Sequence, residues 1–568
     1  MNCDQVSDNL RSGIYNCTQP IKNAKPLRSM AWDVCHWVVD DNGERVSTVG
    51  TTNLLRHKDE CLNTVKRKSL AGLSKNAVET IKTSVNEKVM QFVSQDIRAF
   101  RTTSGPGFEA LADKLITIGH RYGPLKAKNI LPHRTTIPHL VNEEAENKRL
   151  HLKTRLVGLQ SQGVSITLDL WTEDITKCHY LGMNVHFISE GVLNEATLCV
   201  KELDEISANA ENIHVEIISI LEAFEIDIDN VIFVTDRGGE IVAPLKDYAE
   251  RLNCAAHLLK NIVDEMLKKI GDQNPVNTLL DNCRALIGGA KSLECHVVYL
   301  NSIKKAQESS DLMDFLDANG ESDLLTDIDN DLLDELIEFL EPFYEATLQF
   351  EAKTKPTIHY VALYRLQLQE HLAASRHDSF PIREMNELGL AYMEEKWVVD
   401  DIRKKAVFFH PKLKSMNMFT DGKELIEQIR KEAAVFAVAD DTDEEELPPP
   451  RKRRRVTGGD RIIEEFANSN FADAPIDEVQ QYLNSYVVVP ESGKIDLCQY
   501  WFENRELFPA LYKLSLKYLC VPASSATAES KFSLAGFLIN EKRVLMRPTV
   551  VDNILVLKSI YDSEKSPK

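Results

Sequence analysis

The sequence has no run of about eighteen apolar residues, so nothing in it is built to span a membrane. Its first residues, Met1-Asn2-Cys3-Asp4-Gln5, lack the charged-then-apolar pattern of a signal peptide, and the expectation is a chain that is not secreted. Eleven cysteines are scattered over 568 residues without a framework of pairs. That excludes a disulfide-stapled fold and fits a reducing compartment. Net positive charge is also missing: the formal balance is −20. A generally basic surface is thereby excluded, and any contact with DNA has to come from local basic patches. Apolar content, at 43%, is that of a folded protein, and the length is enough for several domains.

Two stretches stand out against these absences. Ser165-Ile166-Thr167-Leu168-Asp169-Leu170-Trp171-Thr172 is an apolar, β-prone run carrying a carboxylate near its end. Val231-Ile232-Phe233-Val234-Thr235-Asp236-Arg237-Gly238-Gly239 repeats the pattern. A buried strand with an Asp at its end holds that carboxylate on a rigid support, and two such strands side by side aim both at one place. A lone Asp of this kind is more often a strand cap or the start of a turn.

Residues 1–66 form a small irregular unit. His57 and Cys61 have the spacing of the second half of a zinc finger, but no Cys-x2-Cys pair precedes them, so structural zinc is not expected there. Residues 70–158 are helical, with Val78, Ile81, Val85, Val89 and Phe92 at helical spacing. Lys148, Arg149, Lys153 and Arg155 form a basic segment that suits either phosphate contact or a solvated helix face. Residues 160–265 alternate strands and helices, with strands at 180–188 and 196–203, a reversal at Glu190-Gly191 and a helix over 208–224; this predicts a mixed sheet flanked by helices. Residues 266–494 are helical apart from a linker at 437–460. Asp327, Asp329 and Asp331 alternate like a calcium loop, but Leu332 stands where that loop needs Gly and already belongs to an apolar helical stripe. In the linker, Pro448-Pro449-Pro450 leads into Arg451, Lys452, Arg453, Arg454 and Arg455, a run that reads as a nuclear-import signal. Residues 495–568 return to apolar helices.

The ordered set of motifs resembles the hAT superfamily of cut-and-paste DNA transposases, and is most similar to its Hermes-type branch. The blocks that carry the resemblance are Thr167-Leu168-Asp169-Leu170-Trp171-Thr172; Phe233 to Gly238 followed by Cys254-Ala255-Ala256-His257; and Pro522-Ala523-Ser524-Ser525-Ala526 through Glu529 and Phe532 to Arg543. Asp96 to Phe100 with Gly105-Pro106-Gly107-Phe108 is a further match near the N-terminal end. The resemblance implies an α/β protein: an RNase H-like catalytic core interrupted by a large all-α insertion, with helical N-terminal and C-terminal regions, the last serving dimerisation. It implies that Asp169, Asp236 and Glu529 are a catalytic triad holding a magnesium or manganese pair about 3.5–4 Å apart, with Cys254 and His257 as auxiliary groups. DNA and a second copy of the chain would be the partners, and the nucleus the location. Arg237, Lys148 and Arg149 become candidates for contact with DNA.

The departures from the family pattern are specific. The finger lacks its Cys pair. In the insertion, Glu294-Cys295-His296-Val297-Val298-Tyr299-Leu300-Asn301-Ser302 stands where the family has an Arg-Trp pair and Asn-Ser, so Tyr299 replaces a tryptophan that stacks on a flipped base. Ser530 follows Glu529 where the family has Arg. An active transposase and an impaired, domesticated copy that only binds are both compatible with this pattern.

Overall fold

The computed structural model describes residues 14–17, 35–38 and 74–565, apart from 97, 160–162, 174–176, 204–208, 247–249, 288–292, 308–327, 374–377, 440–476, 487–493 and 540–545. His57, Cys61 and the basic run 451–455 lie outside the described residues. The chain divides into two units, Met1–Leu131 and Pro132–Lys568.

In the first unit, strands β1 (Ile14–Cys17) and β2 (Cys35–Val38) pair antiparallel. Helix α1 (Lys75–Gln95) starts where the Ser74 side chain accepts the Ala77 N–H. Helix α2 (Pro106–Tyr122) begins on a proline, whose missing N–H costs nothing in a first turn. Phe92 and Phe108 stack between the two helices with ring centroids 6.1 Å apart. Neither helix fully buries a single residue: of the stripe, Val78, Val89 and Phe92 are partly covered, and Ile81 and Val85 are exposed.

The second unit is mostly helical around one mixed sheet. Helix α3 (Ile137–Val157) belongs to it, whereas the sequence placed that helix with the N-terminal group; Leu152 and Leu156 are buried against the sheet. The strands are β3 (Val164–Thr172), β4 (His179–Ser189), β5 (Val192–Leu203), β6 (Val231–Thr235) and β7 (Arg251–Asn253). Their order is β5-β4-β3-β6-β7; the first two pairings are antiparallel and the last two parallel. The β4–β5 hairpin turns at Glu190 (φ 52°) and Gly191 (φ 72°), two left-handed residues whose twist matches that of the strands.

The central strand β3 is covered on both faces, which is why its sequence is nearly continuously apolar. On one face, Ile166 and Leu168 pack with Leu156 and with Ile213, Ile217 and Leu221 of α4 (Ala210–Ala223). Helices α5 (Gly239–Leu245) and α6 (Ala255–Lys269) follow β6 and β7. Beyond them lie α7 (Leu293–Gln307) and α8 (Asn330–Phe350). Asp329 is no calcium ligand in an extended loop: its carboxylate accepts the Leu332 N–H at 3.1 Å and caps α8. The chain returns to the sheet in α9 (Pro509–Leu519), α10 (Ala526–Leu538) and α11 (Pro548–Lys565). Trp501, Phe508, Leu511, Leu516 and Leu555, which make the C-terminal helices apolar, are all buried in the chain's own cores. The outer edge of β5 is closed by α11, where Asp552 accepts the Val200 N–H at 2.7 Å and Ser559 Oγ the Thr197 N–H at 3.2 Å.

Candidate functional site

The parallel β3–β6 register places the two aspartates. Thr167 pairs with Val234, so Asp169 and Asp236 each lie two residues beyond the same rung, on the same face. Asp169 is 8% exposed and its Oδ1 accepts the Leu170 N–H at 2.9 Å. Asp236 ends its strand, and its Oδ1 accepts the Gly238 N–H at 3.0 Å. A Cβ at Gly238 would stand 3.1 Å from Asp236 Oδ2, so the glycine keeps the carboxylate uncrowded. Arg251 steadies the same turn, donating to Thr235 Oγ1 at 2.8 Å and to the Asp236 carbonyl at 3.1 Å.

Glu529 comes from the first turn of α10, nearly three hundred residues later. The same face of β3 seats that helix. Thr167 Oγ1 lies 3.1 Å from Thr527 Oγ1, and Trp171 stacks on Phe532 with centroids 5.8 Å apart. Between them stands Asp169, whose partner across the β3–β4 ladder is Gly182. A Cβ on Gly182 would come within 2.7 Å of the Phe532 ring. The glycine therefore lets Phe532 drop onto the sheet, and Glu529, three residues earlier on the same helical face, arrives beside the aspartates.

Burial, then the charges of Asp236 and Glu529, push Asp169 up to about 7, against the Leu170 N–H and His257. Cys254 and His257 come from the start of α6. The Cys254 N–H donates to the Thr235 carbonyl at 2.6 Å and the Ala255 N–H to the Ala523 carbonyl at 2.9 Å, which ties α6 to both β6 and the segment entering α10. The Cys254 sulfur accepts the Ser525 N–H at 3.3 Å. His257 Nδ1 is 3.7 Å from Glu529 Oε1. Cys254, with the carboxylates of Glu529 and Asp169, favours the imidazolium and holds His257 up at about 9 despite its burial.

Other residues singled out in the sequence lie elsewhere or are already engaged. Arg237 is exposed and donates to the Lys396 carbonyl. Tyr299 lies within α7. Lys148 pairs with Glu564, and Arg149 with Asp552 at 2.7 Å, both acids on α11. Sequence reasoning missed Lys353, whose Nζ donates to Ser530 Oγ at 3.2 Å. It brings a cation to the residue that follows Glu529, from just past the end of α8. No local pattern announces it, because Lys353 and Ser530 meet only in three dimensions.

A family model described as the hAT family C-terminal dimerisation region matches residues 478–561, and one described as the Hermes transposase DNA-binding domain matches residues 75–136. The Transposable element Hobo transposase of Drosophila melanogaster is 26% identical over 93% of this chain and 92% of its own length. Together these matches support an hAT-family protein of the Hermes type. Zinc finger protein 618 of Mus musculus and of Homo sapiens is 23% identical over 88% of this hAT chain, which spans 53% of either relative. DNA is the partner of the α1–α2 segment, and a second copy is the partner of the C-terminal region. Residues 75–136 hold ten Lys and Arg against five Asp and Glu, a local basic region within an acidic hAT chain. Among the described residues no helix is long and apolar enough to cross a membrane.

Proposed function

We propose that this hAT protein cleaves and joins DNA strands in a divalent-metal-dependent reaction on Asp169, Asp236 and Glu529, within an RNase H-like core interrupted by the helices between α6 and α9. What supports the reading is that Asp169 and Asp236 share one face of the sheet with α10, which carries Glu529, and that burial, then the charges of Asp236 and Glu529, raises Asp169. Such a cluster repels itself and offers only oxygen donors, which suits magnesium or manganese. When bound between these carboxylates, a divalent pair activates the attacking oxygen and stabilises the departing one.

The chain's own groups do the rest. The sheet fixes the two aspartates, and α10 brings Glu529 to them without a flexible loop. His257 carries a proton beside Glu529. Lys353, which donates to Ser530 Oγ, supplies the positive charge that Ser530 does not. Arg237, Lys148, Arg149 and Tyr299 contact the DNA on its way to the site, and the run Arg451 to Arg455 takes the protein to the nucleus.

The second reading is a protein that binds DNA without cutting it. Tyr299 in place of Trp and the internal pairing of Lys148 and Arg149 favour it. The decisive experiment incubates the full chain with candidate transposon ends in Mg2+ or Mn2+. Strand cleavage abolished by Asp169→Asn, Asp236→Asn and Glu529→Gln supports the enzyme. Retained DNA binding with no cleavage in either metal overturns it in favour of the second reading.

A further inference from the structure

His257, given above only a proton to hold beside Glu529, is also placed to bind a metal. His257 Nδ1 is buried and makes no hydrogen bond of normal geometry, although it faces the Glu529 carboxylate and Cys254 favours its charged form. A buried imidazole nitrogen left unpaired costs free energy unless something absent from the chain satisfies it. Around it, one ligand atom each of Cys254, His257 and Glu529 lies within 4.8 Å of the others. In a tetrahedral site with bonds of about 2.0–2.3 Å, neighbouring ligand atoms stand about 3.3–3.8 Å apart. The 3.7 Å between His257 Nδ1 and Glu529 Oε1 is too long for a hydrogen bond and already the length of such an edge.

We propose that Cys254, His257 and Glu529 form a second metal site, selective for a borderline-soft ion of the zinc class, which shares Glu529 with the Asp169–Asp236 pair. Sulfur and imidazole donors favour zinc over magnesium, whereas the aspartates favour the hard ion. Three protein ligands leave a fourth position open to water. The backbone is set for it: Cys254 and His257 are held on the rigid first turn of α6, and the Ser525 N–H, which donates to the sulfur, orients it as a second ligand shell would. Because Glu529 has one carboxylate to give, zinc in this site takes it from the aspartates. The site is a switch in which zinc opposes magnesium. This consequence rests on the reading of Asp169, Asp236 and Glu529 as a functional cluster; the zinc site itself does not.

The test uses the full chain, with no DNA, so that it is independent of cleavage. Zinc is titrated by competition with a chromophoric chelator, and cobalt(II) is added in parallel to reveal a thiolate-to-metal absorption band. Because the chain has other cysteines and histidines, the quantity read is the difference between variants. Cys254→Ser and His257→Gln should each lose one equivalent of zinc, and Cys254→Ser the cobalt–thiolate band from this site. Glu529→Gln should weaken that equivalent at least roughly tenfold, with Asp169→Asn weakening it less. Circular dichroism checks that each variant folds; should Cys254→Ser not fold, His257→Gln and Glu529→Gln decide. An unchanged stoichiometry in both Cys254→Ser and His257→Gln, or in the folded one alone, overturns the site. An affinity indifferent to Glu529→Gln overturns the sharing. Cleavage that fails while zinc binds as described sinks the catalytic reading and leaves this one standing.

Discussion

Helices α1 and α8 are both 21 residues long, and both carry apolar side chains at helical spacing. In α8 ten residues are buried, Leu336, Leu340 and Phe343 among them; in α1 none is. Ile81, Val85 and Met90 of α1 are exposed, as are Phe100, Leu111 and Ile116 after it. Sequence amphipathicity thus says that a face has a partner, and not that the partner is in the same chain. The open stripe belongs to the segment that matches a DNA-binding domain, whereas the covered one belongs to the support of the carboxylate site.

That contrast is open to experiment. The largest expected effect is on autonomous folding. A fragment of residues 75–131 should show no cooperative melt as a monomer, because helices that bury nothing rely on propensity alone. A sharp, concentration-independent transition in a monomeric fragment would erase the contrast. Next comes Gly182→Val, which forces Phe532 off the sheet and should cost about 3 kcal/mol by chemical denaturation. Phe532→Ala in the same chain should return part of that loss; additive losses would show that Phe532 does not rest on Gly182 as described.

A smaller effect depends on pH. Burial lowers His186, which faces Thr167 Oγ1 at 2.9 Å, to about 4. The unfolded chain binds this proton below about pH 6.5 and the folded one does not, so stability falls as pH drops from 6.5 toward 4. At pH 5 the residue should account for about 2 kcal/mol of lost stability relative to pH 7. His186→Gln should flatten the slope in that window, and an equally steep wild-type and variant profile would refute the assignment. The smallest effect is a gain. Asp169→Asn removes a buried charge repelled by Asp236 and Glu529, and should stabilise the metal-free protein by about 1 kcal/mol at pH 8 while removing its stabilisation by Mg2+. A lower Tm for this variant would contradict the electrostatics described.

Much of the sheet was legible beforehand. β3, β4, β5 and β6 fall where the apolar runs predicted, because strands buried on both faces cannot hide among polar residues. The reversal at Glu190-Gly191 was visible from its turn residues. The meeting of Glu529 with the aspartates was suggested by family resemblance alone; no local pattern links positions so far apart, and the features that join them, Gly182 under Phe532 and Thr167 against Thr527, are contacts between distant segments. The C-terminal apolar residues are a different case. Hydrophobicity marks burial and does not say against what, and Trp501, Phe508, Leu511, Leu516 and Leu555 are all core.

The closing of the β5 edge by α11 has a consequence for synthesis. Until Asp552 and Ser559 leave the ribosome, Val200 and Thr197 present unpaired N–H groups on an open strand, the kind of edge that recruits other chains. Glu529 is made only shortly before them. The sheet with its two aspartates can be assembled early, but the third carboxylate and the edge guard are both made after residue 528. A prematurely ended product therefore lacks Glu529 and carries an exposed edge, so truncation leads to a species prone to capture by chaperones or aggregation.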